Sequence, residues 1–102
     1  MDTFTNVTVT KKANVYFDGK VTSRTLTFTD GSRKTLGILQ PGEYTFNTEA
    51  AERMEILAGN TQASINGSAW VDYPAGSHFD VPARSSFSIR ALSLSDYCCS
   101  FL

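Results

Sequence analysis

Apolar and polar residues alternate along most of this chain, in runs too short for helices. The run from Val21 to Phe28 contains "TLTFT" and stops just before Asp30-Gly31. An alternating run that ends on Asp-Gly predicts a strand entering a tight hairpin. Val15-Tyr16-Phe17 precedes the turn pair Asp18-Gly19, and Thr35 to Leu39 resumes the pattern until Pro41-Gly42. Glu43 to Thr48 reads as a further strand, Asn66-Gly67 marks another turn, and Trp70 to Tyr73 runs into Pro74-Ala75-Gly76. Phe79 to Val81 stops at Pro82, and Phe87 to Ala91 and Tyr97 to Leu102 complete the set. Many short strands at this spacing predict an all-β sandwich or barrel.

One segment departs from the pattern. Glu49 to Ala58, "EAAERMEILA", is rich in helix formers, and Ala51, Met54 and Ala58 would share a helical face. As a strand, the same residues put Met54, Ile56 and Ala58 on one side and Arg53 and Glu55 on the other. The all-β surroundings and the short reach from Thr48 to Gly59 favour a turn at 49–51 followed by a strand. That is the expectation here, with the helix as its alternative.

Length and charge narrow the classes. A chain of 102 residues suits one domain, and at that size folding buries roughly 65% of the unfolded surface, enough for one core. Nine basic and ten acidic residues leave a formal net charge of −1. Such balance offers no electrostatic footprint for a nucleic-acid backbone. No apolar run approaches the ~20 residues of a membrane-spanning helix, and "MDTFTNVTVTKK" lacks the apolar core of a secretory signal. Neither nucleic acid nor membrane is expected as a partner. Cys98 and Cys99 are adjacent, so in a strand they point to opposite faces and do not pair with each other. They read as reduced thiols of a cytoplasmic protein.

The spacing of glycines then suggests a site. Glu52 precedes Gly59 by an interval of six residues, and Gly76 precedes Pro82 by an interval of five. Sixteen residues separate Gly59 from Gly76. This framework resembles the two-motif pattern of cupins, which implies an all-β single-domain cupin, a jelly-roll β-barrel. On that pattern, the slots that carry metal-binding histidines in cupins fall on Phe46, Thr48 and Phe87. Two rings and a hydroxyl are not transition-metal ligands, and one carboxylate does not hold an ion alone. No metal is expected there. The single His78 alternates with Phe79 and Val81 and so is expected at the surface or rim.

The segments "VYFDGKVTS", "PGEYTF", "ERMEILAG", "AGSHFDVPARSSFSI" and the terminal "YCCSFL" are similar, in order and spacing, to the small cupin family of pyrimidine/purine nucleoside phosphorylases. The likeness runs from about Val15 to Leu102. It implies a cupin domain over 15–102 behind a polar extension over 1–14. It also implies phosphate-dependent cleavage of purine and pyrimidine nucleosides to free base and α-D-ribose 1-phosphate, by a cytoplasmic homodimer. Inorganic phosphate would be co-substrate, with no other cofactor. The alternative is a non-catalytic cupin that binds a nucleoside or sugar.

Such chemistry needs a base platform, a group facing the ribose and donors for phosphate. Phe46 and Phe87 offer ring faces on which any base stacks. Glu52 is the candidate catalytic carboxylate, because a carboxylate inside a barrel is costly unless it has a task or partners. Thr48 can donate or accept beside it. Tyr44 shares the parity of Phe46 and Thr48, and Met54 that of Glu52. Tyr97 and Cys99 share a face of the last strand, with Tyr97 a pocket candidate. Arg84, Ser85 and Ser86, in the turn after Pro82, are the expected phosphate donors. Arg90 has the opposite parity to Phe87 and Ile89 and points outward. Trp70 is expected in packing or at a dimer interface.

Overall fold

The computed structural model describes residues 2–102 as eleven strands and one short 3-10 turn. The strands are β1 (Thr8–Val9), β2 (Asn14–Tyr16), β3 (Val21–Thr27), β4 (Arg33–Leu39), β5 (Gly42–Asn47) and β6 (Glu52–Ala58). β7 (Asn60–Ile65), β8 (Val71–Pro74), β9 (His78–Val81), β10 (Ser86–Ala91) and β11 (Ser95–Phe101) follow. The segment rich in helix formers is extended from Glu52 onward, after bends at Glu49 and Ala50. Pairing with β11 and β9 on its two sides gives β6 more than its intrinsic propensity could offer as an isolated helix.

Seven strands form one antiparallel sheet in the order β1-β3-β4-β11-β6-β9, with β2 also on β3, and four form a second in the order β5-β10-β7-β8. The chain crosses between the sheets after β4, β5, β6, β8, β9 and β10, as in a jelly roll. The two sheets face each other and keep free edges. The expected all-β, cupin-like jelly roll is what the chain forms, with its two sheets left open at their edges; side-chain alternation does not carry whether such sheets close into a barrel. Within the polar extension expected over 1–14, Thr8–Val9 pair with Thr27 and Leu26, and Asn14 starts β2.

Val21, Leu39, Met54, Ile56, Phe79, Val81, Phe87 and Ile89 fill the space between the sheets. Each fully buried aliphatic side chain of this size contributes roughly 1.5–3 kcal/mol. β7 shows how polar letters can still make a core strand. Thr61 and Ser64 are buried, and their hydroxyls donate to the backbone carbonyls of Tyr73 and Ser68. No buried side-chain polar atom among the described residues lacks a hydrogen-bond partner.

A small satellite cluster lies on the outer face of the large sheet. Phe4 packs edge-on against Phe28 at 5.2 Å, and the Lys34 ammonium sits 5.3 Å from the Phe4 ring centre. On the outer face of the small sheet, Arg90 stacks 3.7 Å from the Trp70 ring centre and pairs with Glu43 at 2.8 Å. Arg90 thus points outward, as its parity predicts.

Candidate active site

The inner face of the large sheet is laid out in rows by strand register. One row carries Thr25 on β3, Thr35 on β4, Cys99 on β11, Met54 on β6 and Phe79 on β9. The next, deeper, carries Ser23, Gly37, Tyr97 and Ile56. The row at the open end carries Phe101, Glu52 and Val81, with Arg33 beside Phe101 one step beyond the paired Lys34 and Ser100. Opposite them, on the small sheet, Phe46 pairs with Phe87, and Phe87 with Ile65.

A cavity of about 200 Å³ opens between these faces. Its large-sheet wall is Ser23, Thr35, Leu39, Glu52, Met54, Tyr97, Cys99 and Phe101, and its small-sheet wall is Phe46, Asn47 and Phe87. Tyr16, from β2, closes one side. The rings of Phe46 and Phe87 lie nearly parallel, 5.6 Å apart, and Tyr16 meets Phe46 edge-on at 5.8 Å.

The arm that brings Tyr16 here is a hairpin of β2 and β3. Its turn puts two consecutive non-glycine residues, Phe17 and Asp18, at φ of 51° and 56°. Left-handed backbone is costly for L-residues, and more so for a bulky one. Phe17 recovers part of that cost by packing 5.1 Å from Tyr44 and 5.4 Å from Phe46.

Among the described residues, Glu52 is the one carboxylate on the cavity wall. Burial raises its carboxyl above the ordinary glutamate range, and a hydrogen bond from the Cys99 thiol partly offsets this. Burial first, then the nearby Glu52 charge, pushes the Cys99 thiol well up. Burial pushes Tyr97 up to about 12, against a hydrogen bond from Ser23. Cys99 and Tyr97 therefore keep their protons at neutral pH and can only donate or accept hydrogen bonds. The set offers one ionisable carboxyl, neutral donors and aromatic faces.

The residues singled out from sequence divide into two groups. Phe46, Glu52, Met54, Phe87 and Tyr97 meet on the cavity wall. Tyr44, Thr48, Arg84, Ser85 and Ser86 do not line it. Tyr44 faces inward but is fully packed, its hydroxyl donating to the Gln40 carbonyl at 2.7 Å. The Thr48 hydroxyl donates to the Pro82 carbonyl at 2.7 Å and accepts from the Ser85 N–H at 3.0 Å. It ties the end of β5 to the turn before β10. Arg84 is exposed in that turn at a φ of 52°, with its N–H directed to the Glu49 carbonyl.

His78 is exposed and lies across from Glu55, away from Glu52. Among the described residues, no three His, Cys, Asp or Glu side chains are placed to hold a metal ion. Sequence reasoning passed over Ser23, Thr35 and Tyr16, and also Asn14, Thr25 and Arg33, which line an adjoining cavity of about 230 Å³ with Tyr16, Thr35 and Phe101. The signal was available in the parity of β4, where Arg33 and Thr35 alternate with Lys34 and Leu36.

Two facing antiparallel sheets with a pocket opening between them define an all-β protein of the cupin-like class. An ectoine synthase from P. lautus shares this fold, with a TM-score of 0.70 at 18% identity over 80% of this chain and 63% of that one. A protein of unknown function from Acinetobacter sp. superposes more tightly, with a TM-score of 0.95 at 42% identity over 98% of both chains. The family model described as pyrimidine/purine nucleoside phosphorylase matches residues 11–101, and the chain belongs to that family. Proteins with that name from Geobacter sulfurreducens and Chlorobium chlorochromatii are 61% and 55% identical to it, each over 100% of this chain and 99% of the relative.

Proposed function

We propose that this chain is a broad-specificity nucleoside phosphorylase whose active site is the pocket between the two sheets. The observation that carries the reading is the full-length kinship with pyrimidine/purine nucleoside phosphorylases, joined to a pocket in which one carboxylate faces paired aromatic rings. Purine and pyrimidine nucleosides are cleaved to free base and α-D-ribose 1-phosphate.

The base stacks on the faces of Phe46 and Phe87. Stacking does not read the base edge, which suits a broad substrate range. Glu52 faces the ribose, accepts hydrogen bonds from its hydroxyls, and stabilises the positive charge that develops as the glycosidic bond lengthens. Cys99 and Tyr97 supply neutral polar contacts beside it. Thr48 acts as a positioning residue, holding the Pro82–Ser85 turn against the strand that carries Phe46. A phosphate oxygen bonds to C1′ as the C1′–N bond breaks, and the base nitrogen leaves with the electron pair. The proton given up by hydrogen phosphate balances the one the departing base gains.

The donor set suits this reaction without a metal, and inorganic phosphate is the only added reactant. We place the enzyme in the cytoplasm as a homodimer; the free sheet edges and the exposed Leu57, Leu92 and Leu94 support the self-association. Purified protein incubated with adenosine or uridine, with and without phosphate, tests the activity. Base is expected only with phosphate, at a rate insensitive to chelator. Saturable nucleoside binding with no base released would make the pocket a binding module instead.

A further inference from the structure

We propose that the co-substrate phosphate binds at Arg33, in the cavity that adjoins the nucleoside pocket across Phe101. This rests on the phosphorolytic reading above and adds the location of the second substrate.

The two cavities share Tyr16, Thr35 and Phe101, so they adjoin along one wall. Among the described residues, Arg33 is the only basic one lining either. It forms no ion pair among the described residues, whereas Arg53 pairs with Asp80 and Arg90 with Glu43, each at 2.8 Å. Arg24 lies on the outer face of β3, donating to the Lys11 carbonyl at 3.3 Å. Arg33 thus has the chemistry for phosphate, a planar fork of donors, and no competing carboxylate.

One hydroxyl beside it is already engaged as an acceptor. The Asn14 amide gives one hydrogen to Ser23 and one to Thr25, at 3.2 Å each. With its oxygen already accepting, the Thr25 hydroxyl has its hydrogen left to give, and Thr25 lines the Arg33 cavity. Asn14 is therefore a positioning residue for the phosphate side, as Thr48 is for the base side.

Separation from Glu52 completes the fit. Arg33 and Glu52 stand in the same row with β11 between them, and two interstrand spacings amount to about 10 Å. A dianion beside Arg33 avoids direct repulsion by the carboxylate. A ribose bridging the row at Phe101 would meet phosphate from one side and Glu52 from the other. The Arg84 turn, by contrast, lines neither cavity.

The test compares wild type, Arg33→Gln, Arg33→Lys and Arg84→Gln as full chains, with folding checked by thermal melts. Loss of a charged hydrogen-bonding partner predicts a phosphate KM raised roughly 10- to 100-fold in Arg33→Gln, with a much smaller change in nucleoside KM. Arg33→Lys should recover part of the loss. An unchanged phosphate KM in Arg33→Gln, or a rise confined to Arg84→Gln, overturns the proposal while leaving phosphorolysis itself intact. Direct titration with inorganic phosphate, followed by phosphorus NMR, reads the subsite without turnover. Saturable line broadening that disappears in Arg33→Gln supports it, and no saturable broadening in wild type overturns it. Base release that never depends on phosphate counts against the activity instead.

Discussion

The ring of Tyr97 lies across the face of Gly37, its register partner on the neighbouring strand, so closely that a Cβ at Gly37 would sit 2.6 Å from the ring. Gly37 in turn pairs with Ser23, and the Tyr97 hydroxyl reaches over the glycine to that serine. The missing side chain makes the room in which Tyr97 can lie flat and form the pocket floor.

Gly37→Ala therefore destabilises the protein even though alanine suits a strand at least as well. Overpacking of this kind costs about 1–3 kcal/mol. Urea denaturation should show a lower midpoint, and nucleoside KM should rise because Tyr97 must tilt into the cavity. A Cβ at Gly37 also meets the Thr22 carbonyl oxygen, so a variant with unchanged midpoint and KM would show that both the ring and that backbone can give way.

Glu52→Gln should cut turnover roughly a hundredfold or more, the scale expected when a transition-state charge loses its stabiliser. Its effect on stability has the opposite sign. The folded-state carboxyl is raised by burial, so its contribution is fully present below the unfolded-state value and is lost as pH rises through the folded one. Ionised Glu52 thus weakens the fold at neutral pH. The melting temperature of Glu52→Gln should exceed that of wild type at pH 7, and the gap should narrow as pH falls toward the ordinary glutamate range. A gap that widens on acidification contradicts the raised value.

Phe46→Ala should weaken purine and pyrimidine nucleosides alike, by about 1–3 kcal/mol or roughly 5- to 150-fold in affinity. Competition binding across four nucleosides measures this, with circular dichroism to confirm folding. Selective loss of one base would mean that the ring reads an edge rather than a face.

The two thiols should resist thiol–disulfide exchange in the native state. Both are buried, and burial raises both pKa values. A thiol-reactive disulfide reagent at pH 8 should find almost none in the folded protein and two after unfolding in guanidinium. Rapid native reaction at Cys99 would show that burial does not keep its thiol protonated.

Much of this arrangement is legible in the sequence because a strand has only two faces. Once Phe46 is placed inward, Tyr44 and Thr48 follow, and Glu52, Met54 and Ile56 follow in the same way on β6. Parity does not say how far along a face the cavity begins, which is why Tyr44 is inward yet entirely packed. Turns obey no parity, so the Arg84 side chain could not be aimed from its letters. β3 misleads for a different reason. Its hydrophobic alternation marks Leu26 and Phe28, yet the face toward the pocket carries Val21, Ser23 and Thr25. The outer apolar residues are covered by the satellite cluster around Phe4, a long-range contact that no local pattern announces. Barrel closure was equally out of reach, because it depends on edge hydrogen bonds and not on side-chain order.

Phe101 forms the shared wall of both cavities while remaining 45% exposed, and the next residue, Leu102, is held by its N–H to the Ala51 carbonyl. Anything joined after Leu102 leaves the protein at the rim, between the Arg33 and Glu52 sides. An affinity tag or reporter fused there would compete with substrate for the entrance, and kinetic constants measured on such a fusion would describe the obstruction as much as the enzyme.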